Sequence, residues 1–109
     1  MSTISTHVLD AVLGKPAAGI RVRLERQKGS QWASVATGNT DDDGRCCDLA
    51  PNAEPGFYRL TLETGLYLKR AGRNSIYPEI SITFHCEGGA KYHLPLLLSD
   101  NSYTTYRGS

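Results

Sequence analysis

Apolar and polar residues alternate with a period of two along most of this chain. In "IRVRLER", Ile20, Val22 and Leu24 stand between Arg21, Arg23 and Glu25, the pattern of a strand with one face in a core and the other in water. "YRLTLE" repeats it, with Tyr58, Leu60 and Leu62 inward and Arg59, Thr61 and Glu63 outward, and "EISITFH" places Ile80, Ile82 and Phe84 inward. Less regular runs, "STHVLDA", "QWASVATG", "RCCDL", "KYHLPLLL" and "SYTTY", supply further strand candidates. Turn-forming stretches such as "GKPAAG", "DDDG" and "EGGA" separate them. About eight short strands, with a turn every ten or so residues, predict a mainly β, two-sheet antiparallel sandwich. One stretch leaves the pattern: "ETGLYLKRAGRNS" gathers helix formers from Leu66 to Ala71, with Lys69 and Arg70 near the end and Gly72 as a stop. A single short helix is expected there.

Composition narrows the class. A chain of 109 residues suits one compact domain, here 1–109, and is too short for two. Its 12 Lys+Arg against 11 Asp+Glu leave no basic footprint for nucleic acid. The longest apolar run, Leu94–Leu98, falls far short of a membrane span, and "MSTISTHVLD" lacks the basic start and apolar stretch of a signal peptide. A cytoplasmic protein that binds neither nucleic acid nor membrane is the expectation. Cys46, Cys47 and Cys86 are odd in number and include an adjacent pair, a poor disulfide framework, so they read as reduced thiols.

Candidate chemistry rests on few residues. His7, His85 and His93 lie on three different predicted strands. In "KYHLPLLL" the inward set is Tyr92, Leu94, Leu96 and Leu98, which sends His93 to the opposite face with Lys91 and Pro95. His7, followed by two apolar residues, has no clear facing, and His85 shares a face with Ser81 and Thr83. "HCEGGAKYH" places His85, Cys86 and His93 on one predicted hairpin, yet the chain holds no C-x-x-C and no H-x-x-x-H, so a zinc site is weakly supported. The turn Asp41–Gly44 lacks the downstream glutamate that a calcium loop requires. Arg45, at a strand entrance after that turn, either pairs with Asp41–Asp43 or reaches into a cleft. The final "TTYRGS" reads either as an edge strand with a soluble end or as part of a site.

Together these stretches resemble the transthyretin-like 5-hydroxyisourate hydrolases. The matching pieces are "STHVLDAVLGKPAAGI", "TDDDGRC", "FYRLTLETG", "YPEISITF" and "YHLPLLLS" running on to "YTTYRGS", in family order over nearly the whole chain. Ile76, where an aromatic is expected, and Asp100-Asn101-Ser102, where a Pro-Tyr-Gly turn is more usual, depart from the pattern outside the presumed site. The resemblance implies a transthyretin-like sandwich that assembles as a homotetramer, a dimer of dimers with sites at the dimer–dimer interface. It implies hydrolytic opening of 5-hydroxyisourate to 2-oxo-4-hydroxy-4-carboxy-5-ureidoimidazoline on the route from urate to allantoin, with no cofactor and no metal. The implied catalytic residues are His7, Arg45, His93 and Ser109, and the substrate-binding residues His7, Arg45, Tyr106, Arg107 and Gly108. The alternative on the same fold is a small-ligand carrier without catalysis.

Such chemistry suits these side chains. Hydrolysis of a cyclic acyl bond needs a base for water, a donor for the developing oxyanion and a proton for the leaving nitrogen. His7 and His93 are expected to divide the base and orienting duties, and Arg45 to hold the substrate oxygens by a forked pair of hydrogen bonds. Ser109 is expected to offer its hydroxyl, and its α-carboxylate to accept from a histidine or hold the tail through Arg107. Gly108 is expected to permit a sharp turn.

Overall fold

The alternating stretches form two sheets packed face to face in the computed structural model, which describes residues 2–108. The strands are β1 (Ser2–Asp10), β2 (Lys15–Pro16), β3 (Arg21–Lys28), β4 (Gln31–Asn39), β5 (Arg45–Ala53), β6 (Gly56–Leu62), β7 (Ile80–Cys86), β8 (Lys91–Leu98) and β9 (Tyr103–Thr105), with helix α1 (Thr64–Arg70) between β6 and β7. One sheet runs β4-β3-β6-β7; the other runs β2-β1-β8-β9, with β5 also paired to β1. Every pairing is antiparallel except β1 with β8, which run parallel. The two-residue β2 is the strand that alternation does not reveal.

The inward residues are those the pattern marks. Ile20, Val22, Leu24, Tyr58, Leu60, Leu62 and Ile80 meet Ile4, Val8, Tyr92, Leu94, Leu96 and Leu98 of the facing sheet, and all are buried. Ile82 and Phe84 pack against this core while partly exposed. Removing such a side chain from water stabilises the fold by about 1.5–3 kcal/mol each.

The helix starts two residues before the expected Leu66. Gly65 donates its amide to the Pro78 carbonyl at 3.1 Å, and a Cβ there would stand 2.6 Å from that oxygen, so glycine alone allows the close approach that begins the helix. Its end follows expectation, with Lys69 and Arg70 in the last turn and Gly72 at φ 72°. No helix among the described residues is long and apolar enough to cross a membrane.

A buried ion pair closes one end of the sandwich. Asp10, at the end of β1 and fully buried, accepts from Arg73 at 2.6 and 3.1 Å, from Tyr67 at 2.9 Å, and from the amides of Val12 and Leu13 at 3.1 Å. Arg73 also holds Asp100 at 2.6 Å, tying the β8–β9 turn to the helix.

The hairpin expected for "HCEGGAKYH" does not form. Gly88 and Gly89, both at positive φ, carry the chain from one sheet to the other, so His85 on β7 and His93 on β8 stand in different sheets. His85 instead stacks on Phe57, ring centroids 4.5 Å apart. The three cysteines are free thiols, with Cys46 and Cys86 buried and Cys47 exposed.

Candidate active site

Three neighbouring strands bring the titratable residues together. β1 lies between β5 and β8, so its odd-numbered residues Thr3, Ser5 and His7 share the outer face with Lys91, His93 and Pro95 of β8 and with Arg45 of β5. In register, Ser5 stands beside His93, and His7 stands between Pro95 and Arg45. The facing of His7, ambiguous in the sequence, is thereby settled.

Arg45 is placed by the acidic turn, not neutralised by it. The Asp41 carboxylate accepts from the amides of Asp43 and Arg45, each at 2.9 Å, and so serves as a backbone clamp. Gly44 sits at φ 76° with its carbonyl accepting from Val8 at 2.7 Å, and a Cβ there would stand 2.3 Å from the Val8 oxygen. That contact locks the turn onto β1 and sets the strand entrance. Among the described residues no carboxylate forms a salt bridge with the Arg45 guanidinium. Cys47, two residues on, lines a groove with Arg45, and β5 bulges after Cys46, since Thr6 pairs with Cys46 but Ile4 with Ala50.

The two histidines differ in their hydrogen bonds. His7 Nε2 lies 2.9 Å from the Asp43 carbonyl oxygen; a carbonyl only accepts, so this nitrogen carries the proton and donates it. His93 Nδ1 lies 2.8 Å from Ser5 Oγ. Their ring centroids are 6.4 Å apart. Burial pushes the His93 pKa down, and the charges of Lys91, His7 and Arg45 push it the same way. Its ring therefore favours the neutral form that a general base needs.

The groove, of about 410 Å³, opens beside His93 and Arg45, lined also by Ser5, Cys47, Lys91, Thr3 and Ile4; His7 stands next to it without lining it. Two other cavities, about 390 Å³ beside Arg26 and Lys28 and about 590 Å³ beside α1, are lined by no histidine or cysteine.

The chain end reaches His93. Gly108 donates its amide to the His93 carbonyl at 2.7 Å, forming a single antiparallel bridge. Its φ lies outside the left-handed region, so the expected sharp turn is not what glycine provides; a Cβ at this position would stand 2.9 Å from His93 Cδ2. Close approach to the histidine is the requirement. Arg107 lies over the Tyr92 ring at 4.3 Å and donates to the Lys91 carbonyl at 3.3 Å, which anchors the tail outside the groove. Tyr106 is more than half exposed. Ser109 lies outside the described residues.

Of the residues singled out in the sequence, Arg45 and His93 line the groove, His7 and Gly108 stand against them without lining it, and Tyr106 and Arg107 do not line the groove of this protomer. The sequence does not single out Ser5 or Cys47 for the site, and it sets Lys91 on the His93 face without a site role. Alternation places Lys91 beside His93 on one strand, but the parallel register that joins Ser5 to the site spans 88 residues and leaves no local signal.

Two sheets and one short helix, with a polar groove that includes a histidine and an arginine on an outer sheet face, define a transthyretin-like sandwich. The chain belongs to the HIUase/Transthyretin family, whose sequence profile matches residues 4–108. It is 45% identical over 109 aligned residues to a 5-hydroxyisourate hydrolase of Salmonella dublin, covering 97% of this chain and 80% of that protein. It superposes on the structure of Klebsiella pneumoniae 5-hydroxyisourate hydrolase with a TM-score of 0.90, 39% identity and full coverage of both chains. Sea bream transthyretin in complex with thyroxine matches as well in backbone, with a TM-score of 0.92 and 31% identity over 96% of this chain and 93% of that one. Backbone shape thus does not separate hydrolase from carrier; the side chains must.

Proposed function

We propose that this chain hydrolyses 5-hydroxyisourate to 2-oxo-4-hydroxy-4-carboxy-5-ureidoimidazoline in urate degradation. The observation that carries the reading is the convergence of His93, His7 and Arg45 on one outer sheet face, beside a groove lined by His93 and Arg45, in a chain 45% identical to a named hydrolase of that substrate. A wall of titratable groups fits acid–base work better than retention of an apolar ligand.

In the mechanism we favour, water enters the groove beside His93, whose neutral ring takes one proton as the water oxygen bonds to the ring carbonyl carbon. Charge gathers on the carbonyl oxygen, where Arg45 donates a forked pair of hydrogen bonds that lysine cannot reproduce. The tetrahedral centre then expels the ring nitrogen, and the proton held by a histidine passes to it as the C–N bond breaks. His7, held by its donation to Asp43, orients the substrate from the other side. In this reading Gly108, seated against His93, closes the end of the site, the Ser109 hydroxyl supplies a further polar contact, and Tyr106 and Arg107, outside the groove of one protomer, meet substrate only in the assembled form.

One protomer gives the groove an incomplete wall, and ligand sites favour enclosed clefts. We read the working form as a homotetramer, a dimer of dimers in which a facing dimer covers each groove, acting in the cytoplasm as a single catalytic domain, 1–109. Sedimentation of the purified chain tests the assembly.

The activity is tested by the ultraviolet decay of 5-hydroxyisourate freshly made from urate with urate oxidase. Decay accelerated by wild type and not by His93→Ala is the expected result. Decay at the spontaneous rate with folded wild-type protein overturns the reading in favour of a carrier.

A further inference from the structure

We propose that Ser5 is a positioning residue for His93: its hydroxyl oxygen accepts the Nδ1–H of the ring and holds the tautomer whose free lone pair is on Nε2. The inference rests on the hydrolase reading above and deepens it.

The geometry begins with register. In the parallel β1–β8 pair Ser5 and His93 are direct neighbours, and both half-buried side chains leave the same face. Oγ and Nδ1 stand 2.8 Å apart. On the opposite flank of the ring, Gly108 comes so close that even a Cβ would meet Cδ2 at 2.9 Å. With Nδ1 held by Ser5 and Cδ2 hemmed by the chain end, the imidazole is gripped on both sides of Cγ. The Nε2–Cε1 edge is its outer end, and Nε2 has no hydrogen-bond partner among the described residues.

Chemistry then chooses the direction of the Ser5 hydrogen bond. Were the hydroxyl to donate to Nδ1, the ring proton would sit on Nε2 and the outer end would have no lone pair for water. With Nδ1–H donating to Oγ, the lone pair faces outward. The second arrangement also survives turnover, because Nδ1 carries a proton both before and after Nε2 takes one; the first would force the hydroxyl to flip at each proton transfer. Removing the hydroxyl frees the ring to move its proton to Nε2, the nitrogen preferred by imidazole side chains in water. The charged and titratable groups around the ring are Lys91 on β8, His7 on β1, and Arg45 and Cys47 on β5. None of them replaces the hydroxyl at Nδ1.

The test uses the full chain with Ser5→Ala and Ser5→Thr, comparing kcat, KM, pH–rate profiles and the ¹⁵N imidazole shifts of His93. Ser5→Ala is expected to lower kcat about tenfold, one decade of the 10²–10⁴ that a positioned base contributes, with KM changed less than about twofold. The acid limb of its kcat profile moves to lower pH, because the imidazolium loses its charge-assisted acceptor. Ser5→Thr, which keeps the hydroxyl, restores kcat. In the wild type the neutral His93 shows its proton on Nδ1, and in Ser5→Ala on Nε2. A wild-type ring protonated on Nε2 when neutral, or a folded Ser5→Ala variant with unchanged kcat, overturns the proposal. The ¹⁵N reading needs no turnover, so it decides the role of Ser5 even where Ser5→Ala folds poorly or the substrate assignment fails.

Discussion

Gly108 donates its amide to the His93 carbonyl at 2.7 Å while its Cα leaves no room for a side chain, since a Cβ would stand 2.9 Å from His93 Cδ2 and 3.1 Å from Pro95 Cγ. The chain end and the histidine therefore share one space. Gly108→Ala must displace the ring, the tail or both, and a misplacement of this size is costly in an acid–base site. The expected outcome is a loss of tenfold or more in kcat, roughly 1.4 kcal/mol in the barrier, with the thermal midpoint nearly unchanged because the substitution lies beyond the last strand. Turnover of 5-hydroxyisourate at the wild-type rate would show that the tail's approach to His93 has no catalytic consequence.

The surroundings of His93 set the acid side of the activity. Burial, followed by the charges of Lys91, His7 and Arg45, lowers its pKa from 6.5, so the ring is neutral at pH 7 and takes up a proton only at more acidic pH. The acid limb of kcat/KM, which reports the free enzyme, is expected below pH 6.5. Lys91→Glu exchanges a repelling charge for an attracting one, and the limb then moves to higher pH. A limb that stays in place would mean that Lys91 does not act on the base.

How much of this was legible depends on whether a feature is local. Strands β3 and β6 announce themselves because Val22, Leu24, Leu60 and Leu62 alternate with charged or hydroxyl side chains; burial follows that alternation in β3, whereas in β6 Thr61, expected outward, is buried as well, its hydroxyl 3.1 Å from Ser81 Oγ. Arg45 and Gly44 were legible as a turn and a strand entrance, but the use of the Asp41 carboxylate on backbone amides was not, because acidic side chains beside an arginine read equally well as ion pairs. The supposed hairpin of His85 and His93 failed for a physical reason: two glycines at positive φ let the chain cross between sheets where a tight turn was expected. Ser5 escaped notice because its membership of the site depends on which strand lies beside β1, a long-range choice made by the core, whereas Lys91 stands two residues from His93 on the same strand. The family resemblance brought in His7 and the tail, which alternation alone left undecided.

Cys47 offers a chemical handle on the groove. It is the exposed thiol of the three and lines the cavity with Arg45 and His93, while Cys46 and Cys86 are buried. Iodoacetamide is expected to alkylate Cys47 first, since access governs thiol reactivity, and the added amide fills space that the substrate needs. Inactivation should follow the appearance of the Cys47 adduct by mass spectrometry, and Cys47→Ser should remain active and resist the reagent. Full activity in singly alkylated protein would place the substrate elsewhere.

Arg73 and Asp10 tie stability to pH far from the groove. Burial alone would raise the Asp10 pKa, but hydrogen bonds from Arg73, the Leu13 amide and Tyr67 outweigh it and hold the carboxyl at about 2, against 3.8 for an ordinary aspartate. A carboxyl depressed in the folded state stabilises the fold above its unfolded pKa, and that contribution is lost as pH falls through the folded value. The window therefore runs from about pH 4 down to about pH 2, and the contribution is about 2 kcal/mol. Arg73→Met leaves a fully buried carboxylate without its cation and frees Asp100, so a loss of about 3–5 kcal/mol at pH 7 is expected, as for other broken buried pairs. In the same variant the fall in stability between pH 4 and pH 2 becomes shallower, because less of the carboxylate's stabilisation remains to be lost on protonation. Urea unfolding of both proteins across that range checks the assignment: equal acid slopes would mean that another carboxylate governs the acid stability of this fold.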